Sequence, residues 1–233
     1  MVTGACLVCG KPLCYYEQER EMTCAACGQA FLSRASCEDG HYICDDCHAR
    51  QGVEAIMAYC RASASRNPVF MVQEMMDHPA IYMHGNEHHI MVGAALIAAY
   101  RSAGGEVELL PALAEMRARG SQCPGGTCGF WGCCGAAVSA GMFYSIVTKT
   151  TPLSGKTWGE GNLLTAKALE AIGTIGGPRC CKRNAFTAIR AAVEFTAERR
   201  GVSMELPERI VCRHFQGNQQ CLRHRCPYYP AGR

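Results

Sequence analysis

The sequence predicts a mainly α-helical core domain with a small cysteine-rich module ahead of it. Residues 1–50 are rich in cysteine, glycine and charge and show little periodic hydrophobicity. Beyond Gln51, apolar side chains recur at helical spacing. No strand–helix alternation and no internal repeat is visible. We therefore expect three parts: a module at 1–50, a helical core domain at 51–205 and a cysteine-rich basic tail at 206–233.

The helices of the core domain follow from apolar stripes and from residues that begin or end helices. The first contains the stripe Val53, Ile56, Met57 and Tyr59 and ends before Asn67-Pro68. The segment 87–103 is apolar on nearly all sides, so we expect it at the centre, with Asn86 as its N-cap. A loop is predicted at 150–161. Further helices are predicted at 69–76, 108–119, 135–147, 162–173 and 181–200.

Composition indicates the compartment. A hydrophobic content of 48% supports a core without disulfides. The first residues contain no apolar run typical of a signal peptide, and no stretch of the length needed for a membrane span occurs. We therefore expect a cytoplasmic protein, with no membrane partner, in which clustered cysteines hold metal or do chemistry rather than form disulfides.

Charge is distributed unevenly along the chain. Residues 1–60 carry four Lys or Arg against eight Asp or Glu, a net charge of −4, and residues 179–233 carry eleven against four, a net charge of +7. A basic tail can meet an acidic protein partner, a phosphate group or nucleic acid. The alternative is that these arginines lie on solvated helix faces.

Metal ligands are predicted in the N-terminal module. Two C-x-x-C hooks fourteen residues apart form a zinc-ribbon pattern, and a second run of thiols with one histidine follows. Eight ligands suffice for two structural zinc ions, paired either in sequence or interleaved as in a cross-brace. The order from Cys24 to Cys47 resembles part of a RING finger, although that family's last C-x-x-C pair is absent. The ligands are Cys6, Cys9, Cys24, Cys27, Cys37, His41, Cys44 and Cys47.

A second set of cysteines is embedded in glycine-rich loops. Two such loops, each with a vicinal cysteine pair, precede predicted helices, whose N-termini favour thiolates. If they converge, the pooled thiolates can hold an iron–sulfur cluster or zinc, and Cys133 and Cys134 can take part in catalysis. The alternative is a group of inert buried thiols. The set comprises Cys123, Cys128, Cys133, Cys134, Cys180 and Cys181.

Histidines precede the central predicted helix. His84 and His88 stand four residues apart, with Glu87 and His89 beside them. If the helical turn extends back to His84, the two rings share a face and can ligate metal or carry protons. The alternative is a polar neighbour of a helix cap.

Three cysteines of the tail, Cys212, Cys221 and Cys226, form another predicted metal set. With His214 or His224 they suit a closed zinc site, and Cys226-Pro227 is typical of a ferredoxin ligand. Both assignments stay open. Cys14 and Cys60 are expected only to pack.

The motifs CxxCG, GHYICDDCH, MHGNEHHIMVGAAL, CGFWGCCGA and GPRCCKR resemble a family of uncharacterised cysteine-rich proteins found mainly in anaerobic microbes. Members are sometimes fused to SAM-dependent methyltransferases, so the resemblance implies metal chemistry on a small sulfur or methyl substrate. We expect an iron–sulfur or thiolate-metal enzyme in redox, sulfur-transfer or methyl-transfer-associated chemistry. The alternatives are a zinc-stabilised scaffold that docks a protein or nucleic acid, and a thiol redox sensor.

Overall fold

The computed structural model describes residues 6–230 of the chain. Within that range the chain forms a two-stranded hairpin and eight α-helices, which confirms the predicted mainly helical class. The strands are β1 (Leu13–Thr23) and β2 (Ala30–Cys37). The helices are α1 (Asp45–Ala62), α2 (Pro68–Met76), α3 (Glu87–Ser102), α4 (Leu109–Gly120), α5 (Thr127–Phe130), α6 (Gly135–Val147), α7 (Lys156–Ile175) and α8 (Cys181–Arg200).

The N-terminal hairpin was not predicted from the sequence. β1 and β2 pair antiparallel from Leu13 opposite Cys37 to Thr23 opposite Ala30, with an irregularity between Tyr15 and Arg20. Most side chains of β1 are exposed, so the apolar–polar alternation that marks a half-buried strand is missing. The hairpin carries a C-x-x-C hook before β1 and another between its strands.

Helix α3 lies at the centre of the helical domain, as its all-round apolar sequence predicted. It is buried from Glu87 to Tyr100 and packs against α1, α2, α4, α6 and α8. A glycine permits the close approach of α6, because the Gly93 N–H donates to Ser139 Oγ at 2.8 Å and a side chain at 93 would strike Met116. Burial of this helix on all sides fixes the position of the histidines at its first turn.

Two boundaries differ from the sequence prediction. Helix α7 begins at Lys156, so the second half of the predicted loop at 150–161 is wrong. Gly159 and Gly161 lie inside the helix and resemble loop residues, but tertiary packing against α6 and α8 overrides their low helix propensity. Helix α1 runs across residue 50, the predicted end of the N-terminal module.

The tail folds back onto the helical domain. The Cys212 N–H donates to the Tyr228 carbonyl at 2.7 Å, which closes residues 212–228 into a loop. The Tyr228 hydroxyl lies 3.0 Å from Thr187 Oγ1 on α8, and Arg213 pairs with Glu74 and Asp77 near the end of α2. None of the helices in residues 6–230 combines the length and apolarity that a bilayer span requires.

Candidate metal centres

The eight predicted ligands of the N-terminal module assemble into two sets. Cys6, Cys9, Cys37 and His41 form one, and the ligand atoms within each set all lie within 4.8 Å of one another. The other set consists of Cys24, Cys27, Cys44 and Cys47. The sets interleave along the chain, so of the two pairings left open by the sequence the structure has the cross-brace.

Glycine shapes the first hook. The Gly10 N–H donates to the Cys6 carbonyl at 2.8 Å, and Gly10 has φ +76°, a backbone conformation that favours glycine. This turn directs Cys6 and Cys9 to one side, where Cys9 Sγ lies 3.6 Å from Cys37 Sγ. His41 completes the set with Nδ1 3.4 Å from Cys37 Sγ.

The second set repeats this arrangement at the start of α1. Cys27 Sγ lies 3.9 Å from Cys44 Sγ, and Cys44 is the N-cap of the helix. Burial opposes ionisation of Cys24, yet backbone N–H groups, that of Cys44 among them, lower its pKa to about 6. Burial raises the pKa of Cys44 to about 12. A cation between the four thiols is what lets all of them ionise together.

The second set is joined to the core domain through α1. Val53 and Ile56 of that helix lie in the hydrophobic core. Asp45 in its first turn accepts the Gly125 N–H at 2.7 Å, which ties the module to the central cysteine–glycine loop. Metal binding and the position of that loop are therefore mechanically connected.

A cleft of about 490 Å³ lies between the module and the helical domain. The β-hairpin and the loop 41–48 form one wall, and residues of 84–89, 124–131 and 179–181 form the other. Its size suits a small molecule. Arg179 projects into it, with its guanidinium carbon 5.4 Å from the centre of the Tyr15 ring. Within residues 6–230, Arg179 forms no salt bridge, whereas Arg34 on the opposite wall pairs with Glu19 at 3.6 Å.

The predicted central cysteines are divided by this cleft. Cys128 and Cys181 line it, whereas Cys123, Cys133 and Cys134 do not. Cys134 accepts a hydrogen bond from Asn184 Nδ2 at 3.2 Å. Burial raises the pKa of Cys181 to about 12, against the opposing charge of Arg179. Burial likewise raises the pKa of Cys123, Cys128 and Cys133.

Within residues 6–230, no three of these central cysteines have their sulfurs within 4.8 Å of one another. That spacing excludes a single ion held by three of them in the arrangement described. It does not address a polynuclear cluster, whose ligands stand farther apart because several iron and sulfide atoms lie between them.

The vicinal pair at the start of α8 faces two ways. Cys181 lines the cleft, whereas Cys180, the N-cap residue, lines a separate cavity together with Cys212, Cys221 and Cys226 of the tail. The sequence grouped Cys180 with the central set because the two residues are adjacent. Adjacent residues at a helix start point in different directions, so Cys180 joins the tail cysteines instead.

The histidines differ in their access to the cleft. His84 and His89 line it, and burial lowers the pKa of His84 to about 3, which keeps the imidazole neutral. The side chain of His88 is 1% exposed and lies behind the cleft wall, with Nδ1 3.1 Å from Glu87 Oε1. His89 Nδ1 donates to the Cys123 carbonyl at 3.0 Å. The predicted pair of rings on one face is therefore not formed at the cleft.

Several residues with charged or aromatic side chains that line these two cavities were not predicted from the sequence, three of which matter for the chemistry. Arg179 and Tyr15 line the cleft, and Lys182 lines the tail cavity. Arg179 and Lys182 flank the vicinal cysteines in the motif GPRCCKR, which was a usable signal. Tyr15 lies on an exposed strand, and no motif in the sequence around it indicated a site residue.

A protein-family model matches residues 56–229, and its description is "Family of unknown function (DUF5714)". The match covers the helical domain and most of the tail, and all eight ligands of the N-terminal sets lie before it. No curated protein and no solved structure matches the chain.

Proposed function

The chain belongs to the family of unknown function DUF5714, and we propose that this metal-binding protein is an enzyme whose cleft thiols act on a small anionic substrate. The observation that carries the proposal is the cleft itself. Besides two of the N-terminal metal ligands, it brings two thiols, three imidazoles and a guanidinium free of salt bridges within residues 6–230 to one space of small-molecule size.

We assign zinc to the two N-terminal sets. Three thiols with one imidazole, and four thiols, are the ligand sets of closed structural zinc sites. Their role is to hold the hairpin and the loop 41–48 as one wall of the cleft. The polar hairpin has little buried surface of its own, so the ions replace a hydrophobic core in that part of the chain.

Arg179 supplies the charge preference. Its guanidinium faces the cleft without a carboxylate partner in the part of the chain that the structure describes, so an anion entering the cleft gains a charge-assisted hydrogen bond. The same charge opposes the rise in pKa that burial causes at Cys128 and Cys181. Arg179 thus favours both the anion and the thiolate that would act on it.

His84 complements this arrangement as a neutral group. Its Nδ1 is buried without a hydrogen-bond partner in the protein, and burial keeps the ring unprotonated near neutral pH. A neutral imidazole accepts or donates one hydrogen bond, or ligates a metal ion. Proton donation by imidazolium is disfavoured at this position.

The chemistry within this class remains the proposal made from the sequence: redox or sulfur transfer, or a step beside a methyl transfer. The anaerobic setting, the association with methyltransferases and the cytoplasmic location likewise stay predictions. So does catalysis by Cys133 and Cys134, which lie away from the cleft lining.

Two alkylating reagents of different charge test the cleft. Iodoacetate and iodoacetamide react with the same thiolate, and mass spectrometry assigns the rate to each cysteine. We expect the rate ratio of iodoacetate to iodoacetamide at Cys128 and Cys181 to exceed that at Cys14 by about tenfold, because one charge-assisted hydrogen bond contributes about 1.5 kcal/mol. Arg179→Gln should remove that excess.

Arg190→Gln is the matched control, since Arg190 is an exposed arginine on α8 away from the cleft lining. It should leave the ratio unchanged. A ratio at the cleft thiols no larger than at Cys14, or one that Arg179→Gln does not alter, would refute the proposed anion-binding thiol site.

A further inference from the structure

Four cysteines that are distant in sequence meet at a second cavity, on the other side of the α8 N-terminus from the cleft. Cys180 comes from the N-cap of α8, and Cys212, Cys221 and Cys226 come from the tail. The bond between the Cys212 N–H and the Tyr228 carbonyl brings the two ends of the tail loop together. The cavity is small, with a volume of about 20 Å³, which excludes an organic ligand.

The spacing of the sulfurs separates this site from the N-terminal sets. A single tetrahedral zinc ion with Zn–S bonds of about 2.3 Å holds its thiolates about 3.8 Å apart. The N-terminal sets show 3.6 Å between Cys9 and Cys37 and 3.9 Å between Cys27 and Cys44. In the tail cavity no three ligand atoms approach one another within 4.8 Å. Thiolates bound to different irons of one cluster stand apart in this way.

Buried positive charge is the second observation. Among the Lys and Arg side chains of residues 6–230, Lys182 and Arg183 are buried, at 1% and 3% exposure. Both line this cavity. Neither forms a salt bridge in the described chain. Lys182 Nζ donates to the Tyr82 carbonyl at 3.1 Å, and the Arg183 guanidinium donates to the Gly176 and Pro178 carbonyls at 2.9 Å. The buried Glu87 acts on the Lys182 charge from beyond salt-bridge distance, together with the thiols of Cys180 and Cys212. Four thiolates on a cluster in the same cavity would supply the remaining negative charge that two buried cations need.

The lining also provides hydrogen bonds to sulfur and limits the access of solvent. Cys180 Sγ accepts from the Arg183 N–H and from Asn218 Nδ2, each at 3.4 Å, and Cys221 Sγ accepts from the Arg223 N–H at 3.3 Å. Leu222 and Tyr228 line the cavity and are buried, at 8% and 4% exposure, while Cys180 is buried and the three tail cysteines are half-buried. Hydrogen bonds to sulfur and low solvent access are the means by which proteins stabilise and tune iron–sulfur clusters.

We propose that Cys180, Cys212, Cys221 and Cys226 hold an iron–sulfur cluster of the four-iron type. The cluster joins the tail to the core domain in the way that a structural ion joins two loops. It also lies one residue behind the cleft, because Cys181 faces the cleft while Cys180 faces the cluster. That position would let the cluster supply electrons to the cleft, and only this role rests on the proposed function.

The metal content of anaerobically purified full-length protein tests the site. We expect about four iron and four acid-labile sulfide per chain in addition to the two N-terminal ions. Dithionite reduction should give the electron paramagnetic resonance signal of a reduced cluster. Iron-free protein, or a third zinc ion in place of iron, would overturn the proposal.

Substitutions then locate the cluster. Cys180→Ser and Cys226→Ser should each lose most of the iron and keep both N-terminal ions, while Cys14→Ser should keep all metal. Cys123→Ser and Cys134→Ser distinguish the alternative site predicted from the sequence. Loss of iron in these two variants, with retention in Cys226→Ser, places the cluster at the central cysteines and overturns the assignment.

A measurement on the wild-type protein covers the case in which a variant does not fold. The protein is alkylated anaerobically with iodoacetamide before and after a chelator removes the iron under reducing conditions, and peptide mapping identifies the newly modified cysteines. Cys180, Cys212, Cys221 and Cys226 should be protected only while iron is bound. Equal modification before and after removal contradicts the proposal. Neither readout depends on the charge-selective alkylation of the cleft, so the cluster and the cleft can fail separately.

Discussion

The two ends of this chain use cysteine in different ways. At the N-terminal end there are two sets of four ligands, and within each set the ligand atoms lie within 4.8 Å of one another. Each set is built from C-x-x-C hooks or short spacings. At the other end, Cys180 meets three tail cysteines at wider spacing, beside the buried Lys182 and Arg183. The difference teaches that residue type alone does not identify a metal. We use the distance between sulfurs and the charge around them to propose a single-ion site at one end and a cluster at the other.

The largest expected effect comes from removing an N-terminal ligand. Cys24→Ser removes one of four ligands and should lose one ion. The effect on stability should be large, because a structural zinc ion contributes on the order of 10 kcal/mol to the folding of a small module. Hydrogen exchange should then show loss of protection in β1 and β2, while α3 stays protected. Cys14→Ser is the control, because Cys14 lies on the same hairpin but in neither ligand set. Full protection of the hairpin without the ion would show that the ion has no structural role.

A change in the tail should remove iron and leave the N-terminal ions in place. Tyr228 packs against Phe186 with ring centres 5.4 Å apart and bonds to Thr187. Tyr228→Ala removes both contacts and should cost about 3 kcal/mol, with loss of iron and retention of the N-terminal ions. Tyr228→Phe removes only the hydrogen bond, costs about 1 kcal/mol and should keep the iron. Loss of N-terminal metal in Tyr228→Ala would mean that the two ends are not independent.

The cleft between these ends should show a pH dependence of stability. Burial lowers the pKa of His84 to about 3, whereas the unfolded chain binds the proton near pH 6.5. The stability from the neutral ring is therefore complete above about pH 6.5 and falls, by up to about 1.4 kcal/mol per pH unit, as the pH drops toward 3. Denaturant titrations from about pH 7 to pH 5.5, where metal content is checked to be constant, should give a shallower decline in His84→Asn. His78→Asn, at an exposed histidine, should follow the wild type. Identical slopes in all three proteins would contradict the assigned state of His84.

The smallest effect concerns the link between the module and the core domain. Asp45→Ala removes the bond to the Gly125 N–H and should cost up to about 1 kcal/mol. Asp46→Ala is the matched control, because both residues lie in the first turn of α1 and affect the helix dipole alike. The difference between the two variants in free energy of unfolding measures the link. Equal values would show that the contact contributes nothing.

The extent to which the sequence predicted this structure depends on the range of the interactions. Helix α3 was predicted, and so was its central position, because apolar residues on every side are a local signal. The eight N-terminal ligands were predicted as a group, since the hooks are local. Their interleaved pairing was left open, because it depends on how the hairpin returns.

The features that the sequence did not predict depend on contacts between residues distant along the chain. Cys180 and Cys181 appear as one pair in the sequence, yet they line two different cavities. The glycines of α7 indicate a loop until helices α6 and α8 are placed beside them. Cys14 and Cys60 belong to neither N-terminal set and do not line the tail cavity, and their role in packing alone stays a prediction.

Anomalous diffraction from crystals grown anaerobically tests the central comparison most directly. Difference maps recorded at the zinc and iron absorption edges assign each element to a position. The account predicts two zinc peaks, one in each N-terminal set, and one iron peak between Cys180, Cys212, Cys221 and Cys226. Zinc at the tail cysteines, or iron at the central cysteines instead, would contradict it.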